Sequence, residues 1–260
     1  MNKKIYYLCG LPRSGKTLFG SILNQNPRAR ATANSIVLDI LWQIENLKNH
    51  RTFLNFPDHK SFNNVVGNII SNYYQDWDYD FILDRSSWGS PNNLEILENN
   101  SPNEIKFVLL VRNIENVVAS FVRWSEENKP NFLDNETDGT VRSKCEYLMR
   151  SDSQMIQSYC STFNIINSKH PYYLIQYDEF VKEPQKTLDG LYEFLGTEGF
   201  QHSFNHIEQF NCNEIFYDDT VVGKNLHTIK TNEVSINQYD LNKYIPEDLI
   251  NYFTTLNFWK

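Results

Sequence analysis

The segment Gly10-Leu-Pro-Arg-Ser-Gly15-Lys16-Thr17 carries the clearest chemistry in the chain. Glycines at both ends of it permit turns that point successive backbone N–H groups inward, and Lys16 adds a mobile positive charge. The segment follows an alternating apolar run, Lys4 to Cys9, and precedes a helical pattern starting at Thr17, so the positive end of a helix dipole joins the same pole. Such a loop wraps one phosphate. The bland alternative is a glycine-bearing turn that binds nothing.

A second anion site reads from Lys106-Phe-Val-Leu-Leu-Val-Arg112, a strand pattern ending in arginine, and from the helical run after it, which carries Ser120 near its second turn. A basic group at a strand's carboxyl end and a hydroxyl on the next helix can converge on one anion. The alternative is that Arg112 pairs with a carboxylate and Ser120 packs as a small residue.

These residues need elements to hold them. Lys4 to Cys9, Phe81 to Asp84, Lys106 to Val111 and Tyr172 to Gln176 read as four parallel strands of buried type. Thr17 to Asn26, Ser35 to Lys48, Ser61 to Tyr74, Glu115 to Glu127, Val141 to Asn167 and Thr187 to Leu195 carry apolar residues at helical spacing, with Gly196 as a C-cap. The alternation implies an α/β fold containing the phosphate loop, in which a central, mainly parallel sheet is covered by helices on both faces as three layers. Ligands then bind at the carboxyl ends of the strands. Asn128 to Gly139 reads as a surface loop, and Asn211 to Ile236 as a long functional loop before a last helix near Pro246 to Thr254.

Composition narrows the class. The chain has 260 residues, 40% of them hydrophobic, which suits a single domain over 1–260, with a core over 4–196 and a loop and helix over 197–260. Twenty-four basic against 32 acidic residues give a net charge of −8, which argues against broad binding to nucleic acid or an anionic membrane. Any phosphate site is therefore built locally. No run reaches a membrane span or signal peptide, and the four cysteines have no paired spacing, so a cytoplasmic protein without zinc or disulfides is expected. A homo-oligomer is left open, since no heptad or repeating apolar stripe marks an interface.

Taken together, the two anion segments resemble the sulfotransferases that use 3′-phosphoadenosine 5′-phosphosulfate (PAPS). The first looks like that family's 5′-phosphosulfate loop and the second like its 3′-phosphate element. Tyr177-Asp-Glu-Phe-Val-Lys-Glu-Pro184, continuing to Phe194-Leu195-Gly196, resembles its tyrosine and acidic pair followed by an amphipathic helix. Ser21 to Pro27 and Leu83-Asp84-Arg85-Ser-Ser-Trp88 are similar to stretches of bacterial members. Gly223-Lys224-Asn-Leu226-His227-Thr-Ile-Lys230 is similar to a late basic segment that closes over the nucleotide, though a solvated loop fits it equally.

The resemblance implies a soluble transferase that moves a sulfuryl group from PAPS, leaving 3′-phosphoadenosine 5′-phosphate (PAP), to a hydroxyl or amine of a small-molecule, glycan or peptide acceptor. Arg13, Ser14, Gly15, Lys16, Thr17 and Leu18 then meet the 5′ end, Arg112 and Ser120 the 3′-phosphate, and Tyr177 the adenine or ribose. Lys224, Leu226 and His227 cover the nucleotide. Lys16 stabilises charge on the leaving oxygens, and no metal is expected.

The general base is not legible from the chain. None of the six histidines, His50, His59, His170, His202, His206 and His227, matches a catalytic position, so Asp84 and Arg85 are the nearest substitutes, with Glu45 more remote. Asp84 is either a base at the strand end or a carboxylate paired with Arg85. Two rival functions stay open. One is a kinase using ATP and magnesium, with Asp84 organising the metal; the other is a nucleotide-binding module that controls a partner surface.

Overall fold

The computed structural model describes residues 3–221, 224–229, 233–234 and 239–260. Five strands, β1 (Lys4–Gly10), β2 (Ala29–Ala31), β3 (Phe81–Arg85), β4 (Phe107–Val111) and β5 (Tyr172–Gln176), form one sheet in the order β2-β3-β1-β4-β5. Every neighbouring pair is parallel. Four of these strands are apolar runs visible in the sequence. β2 is an addition: Ala29 and Ala31 are too small to mark a strand, yet both are fully buried at the sheet edge.

Strand periodicity sorts the core into two layers, because successive side chains leave the sheet on opposite faces. Tyr6 and Leu8 of β1, Leu83 of β3 and Val108 and Leu110 of β4 pack with Phe19 and Ile22 of the helix Lys16–Leu23 and with Leu188 and Leu191 of the helix Pro184–Leu195. On the opposite face, Ile5, Tyr7 and Cys9, Ile82, Phe107 and Leu109 pack with Leu38 and Leu41 of the helix Val37–Asn46 and with Ile165 of the helix Gln154–Ile166. This is the three-layer α/β arrangement. A third cluster, around Val117, Val118 and Val122 of the helix Ile114–Glu127, joins the C-terminal helix Glu247–Thr255 through Phe253.

Two helical patterns resolve more finely than their periodicity suggests, and one polar stretch holds a short helix. The run Ser61 to Tyr74 divides at Gly67 and Asn68 into His59–Val66 and Ile69–Tyr73. Val141 to Asn167 breaks between Leu148 and Gln154, where the Ser153 hydroxyl accepts from the Ile156 N–H at 3.1 Å and starts a new helix. Within the polar stretch 128–139, Asn131 forms a reciprocal cap with Asp134 and starts the short helix Phe132–Glu136. Gly196 closes its helix in the left-handed region, at φ 66°. The long loop from Asn211 holds a two-stranded hairpin, Asn211–Cys212 against Ile215–Phe216, and its end at Ile236 lies outside the described residues.

Strand order reverses direction at β1, whose neighbours β3 and β4 lead to opposite edges. The carboxyl ends of β1 and β4 flank that crossover point, where a doubly wound sheet opens a crevice. The phosphate loop leaves one of these strands and Arg112 follows the other.

Candidate functional site

The loop is pinned to β4 as it leaves β1. Gly10 stands at φ 118°, and a Cβ there would lie 2.0 Å from the Leu110 carbonyl oxygen, so only glycine lets the chain turn this close to its neighbour. The Leu11 N–H donates to the Leu110 carbonyl at 2.9 Å, and the Ser14 hydroxyl donates to the Leu11 carbonyl at 2.7 Å, closing the loop on itself. Arg13 and Gly15 both occupy the left-handed region, at φ 57° and 83°. Gly15 caps the helix Lys16–Leu23 with no side-chain hydrogen bond, which leaves the first-turn N–H groups for an anion.

A cavity of about 640 Å³ opens over this loop. Arg13, Lys16, Arg85, Arg112 and Arg123 line it, against the carboxylates of Glu127 and Glu233. A chain of net charge −8 thus gathers cations at one place. Lys16 is half-buried and donates to the carbonyls of Gly10, at 2.9 Å, and Leu11. Burial and then the nearby Arg85 hold its ammonium well below the ordinary lysine range, and an incoming anion reverses that balance. Arg85 reaches Thr17 Oγ1 at 3.5 Å, which ties the end of β3 to the loop.

Arg112 and Ser120 both line the cavity, and Arg13 links them. Arg13 Nε donates to Ser120 Oγ at 3.1 Å, and Arg112 Nη1 lies 3.5 Å from the Arg13 carbonyl. The Arg112 guanidinium lies 4.3 Å from the ring centre of Tyr177 and 5.1 Å from that of Tyr239. Tyr177 also contacts the loop: a Cβ on Gly15 would fall 2.6 Å from its ring. One ring therefore supports the phosphate loop and the strand-end arginine together. Burial alone would raise the phenol of Tyr239, but hydrogen bonds with Ser120 and Arg112 and the charges of Arg112 and Arg13 bring it below its ordinary value.

Other expected residues have different roles. Asp84 does not reach the cavity. Period two sends Arg85 to the loop side of β3 and Asp84 into the opposite layer, where the Tyr74 and Trp88 side chains enclose it. Asp84 is fully buried and accepts from the Tyr74 hydroxyl and from Trp88 Nε1 at 2.8 Å, while burial raises its carboxyl above the usual range. It is a core carboxylate without access to an acceptor. Ser14 spends its hydroxyl inside the loop. Glu45 pairs with Lys48 at 2.5 Å and does not line the cavity. Lys224 is exposed, outside the lining, and accepts from Trp124 Nε1 through its carbonyl at 2.8 Å. Leu18, Leu226 and His227 do line the cavity, and the Leu226 carbonyl accepts from Arg13. Gly223 and Lys230 of the late basic segment lie outside the described residues.

Tyr217, Asp219 and Tyr239 carry no motif or spacing that marks them as site residues. Asp219 accepts from the His227 ring at Nδ1, 2.7 Å, and from the His227 backbone N–H at 2.9 Å, and the His227 ring stacks on Tyr217 at 4.2 Å. Turn-rich sequence and long separations from Arg85 and Arg112 hide these contacts from any periodic pattern.

A parallel α/β sheet with a glycine-bearing loop and a second cationic cluster at its crossover point defines a phosphate-loop fold with a ligand crevice at the carboxyl ends of its strands. The comparisons with known proteins are more specific. The Sulfotransferase family matches residues 7–202, and the chain belongs to that family. Its fold is similar to the sulfotransferase domain from the curacin biosynthetic pathway, with TM-score 0.55, 17% identity and coverage of 96% of this chain and 98% of that one. A mouse sulfotransferase complexed with PAP gives 0.53 at 14% identity, covering 98% of this chain and 82% of that one. A sulfotransferase from Alicyclobacillus acidocaldarius gives 0.51 at 12% identity, with 98% and 93% covered. No curated protein matches by sequence. Among the described residues, no helix is long and apolar enough to cross a membrane, and no cluster of His, Cys, Asp and Glu has metal-ligand geometry.

Proposed function

We propose that the protein transfers the sulfuryl group of PAPS in line to a hydroxyl or amine of a small-molecule, glycan or peptide acceptor. The observation that carries this reading is the pairing of two cationic anchors in one cavity, Lys16 with Arg85 at the loop and Arg112 with Arg13 and Ser120 at the strand end, joined by Tyr177. A donor with phosphate groups at its 3′ and 5′ positions matches two anchors, whereas ATP presents its phosphates at one end only. This favours sulfuryl transfer over the kinase alternative, as does the family membership.

In this mechanism the loop and first-turn N–H groups from Arg13 to Thr17 hold the 5′-phosphate, with the Thr17 hydroxyl beside them. Arg112, Arg13 and Ser120 hold the 3′-phosphate and so fix the donor's direction. Lys16 leaves the Gly10 and Leu11 carbonyls for the leaving phosphate oxygen as charge develops there, and Arg85 faces the sulfuryl oxygens. The chain's own cations carry the charge that a metal carries in many phosphate-loop enzymes.

The test is differential binding. PAP without metal is expected to raise the melting temperature more than ADP or ATP with magnesium. Arg112→Ala removes a charge-assisted contact to the 3′-phosphate, weakening PAP by about 10- to 150-fold while leaving ADP unchanged. Preference for ATP with magnesium, or equal losses for PAP and ADP, overturns the assignment.

A further inference from the structure

The proposed transfer needs a group to take the acceptor's proton, and the expected base, Asp84, is fully buried and does not line the cavity. The acidic and thiol groups that do line the cavity are poorly suited. Glu127 accepts from Arg123 Nε at 2.7 Å, Glu233 has partners of its own, and burial pushes the Cys9 thiol up to about 12, so it stays protonated. Lys16 and Tyr239 also line the cavity, but Lys16 belongs to the loop anchor and Tyr239 to the Arg112 and Ser120 anchor, which leaves the His227 imidazole as the lining group with the chemistry of a base near neutral pH.

Its geometry is that of an oriented base. Asp219 takes two hydrogen bonds from the same residue, one from the backbone N–H and one from Nδ1, which fixes both the ring's position and its tautomer. With Nδ1–H donated to the carboxylate, Nε2 keeps the lone pair. The ring lies flat on Tyr217, with 3° between the planes, and the Tyr217 hydroxyl donates to the Ala33 carbonyl at 2.8 Å just beyond β2. The preceding residue, Leu226, is tied through its carbonyl to Arg13 of the phosphate loop. The Arg85 guanidinium lies 6.0 Å from the Tyr217 ring centre, so the imidazole shares a neighbourhood with the cation facing the sulfuryl group.

We propose that His227, oriented by Asp219, is the general base of this site and accepts the acceptor's proton at Nε2. The inference rests on sulfuryl transfer as the reaction. The acceptor's O–H or N–H proton passes to Nε2 as its heavy atom bonds to sulfur. The bond from sulfur to the oxygen bridging the 5′-phosphate breaks, and its electron pair stays on the phosphate oxygen that Lys16 faces. The resulting imidazolium is paired with Asp219 and returns its proton to solvent. Burial and the charges of Arg85 and Arg13 favour the neutral ring, Asp219 opposes them, and the balance holds His227 below its ordinary value, in the proton-accepting form at neutral pH.

A merely structural role, in which the dyad pins the loop, is separable by two readouts. The first is ¹⁵N NMR of the histidine side chains with PAP bound, the His227 signals being assigned from their absence in His227→Gln. A neutral ring protonated at Nδ1 at pH 7 is expected, with that preference lost in Asp219→Asn; a ring protonated at Nε2, or charged at pH 7, overturns the proposal. The second follows PAP release from PAPS with water, an aliphatic alcohol or 4-nitrophenolate as acceptor. His227→Gln is expected to slow the protonated acceptors by about 100- to 10,000-fold more than the ionised phenolate. Equal losses on both acceptor types overturn the base assignment while leaving sulfuryl transfer standing. Failure of the unaltered protein to bind PAP removes sulfuryl transfer itself.

Discussion

Gly15→Ala tests whether Tyr177 joins the two halves of the site. The added methyl group meets two separate obstacles. At φ 83° any residue with a Cβ is strained, by about 1–2 kcal/mol, and the methyl would lie 2.6 and 2.8 Å from the Cδ2 and Cε2 atoms of Tyr177. The ring has little room to retreat, because it is 4% exposed and the Arg112 guanidinium lies over it. Overpacking of this kind costs about 1–3 kcal/mol, so the total is about 2–5 kcal/mol, a large share of a typical domain's stability. Tyr177→Val removes the offending ring atoms and leaves only the φ cost. A double-mutant cycle by urea denaturation should therefore show the two substitutions coupled by about 1–3 kcal/mol, Gly15→Ala being milder without the ring. Additivity within about 0.5 kcal/mol would refute the contact as the reason for glycine at this position.

Two buried groups and the cavity lysine allow three further checks. Burial lowers His202 from 6.5 to about 4, with its Nε2 paired to the Tyr192 hydroxyl at 2.8 Å. The unfolded chain then binds the extra proton first, so this contribution is complete above pH 6.5 and shrinks by about 3 kcal/mol as pH falls to 4. Urea midpoints across that window check it, since His202→Phe should flatten the slope and an unchanged slope counts against it. Asp84→Asn presents an amide donor where Tyr74 and Trp88 both donate, and should cost about 2–4 kcal/mol in thermal or urea unfolding without altering PAP affinity of the folded protein; weakened PAP binding would return Asp84 to the site. Lys16→Met should slow PAP release from PAPS by about 100- to 1,000-fold and weaken PAP binding far less, and a loss confined to binding would deny it a role in the transition state.

The parts legible in the sequence are those with local causes. Apolar runs announced β1, β3, β4 and β5, and the spacing of Gly10, Gly15 and Lys16 announced a loop whose glycines prove necessary at φ 118° and 83°. Arg112 and Ser120 were legible because a strand end and a helix turn fix their positions within nine residues of each other. Asp84 was misread because a strand end says nothing about cover, and the side chains that enclose it, Tyr74 and Trp88, lie at a helix end and in a turn, with no signal pointing back to it. Tyr217, Asp219 and Tyr239 were invisible for a different reason. They belong to turn-rich chain, where position is set by contacts with Arg85, Arg13 and Arg112 at distant places in the sequence, not by periodicity.

Tyr177 touches Gly15 with its ring edge and Arg112 with its face, and it gives the cavity a fixed gauge. The loop and the strand-end arginine cannot drift apart independently, since both bear on one side chain. Under the proposed function, the site therefore measures the separation of two anionic groups rather than the presence of either. A molecule with the right charges at the wrong spacing gains one anchor only, and substitution at Tyr177 cannot adjust one end of the ligand without also moving the other.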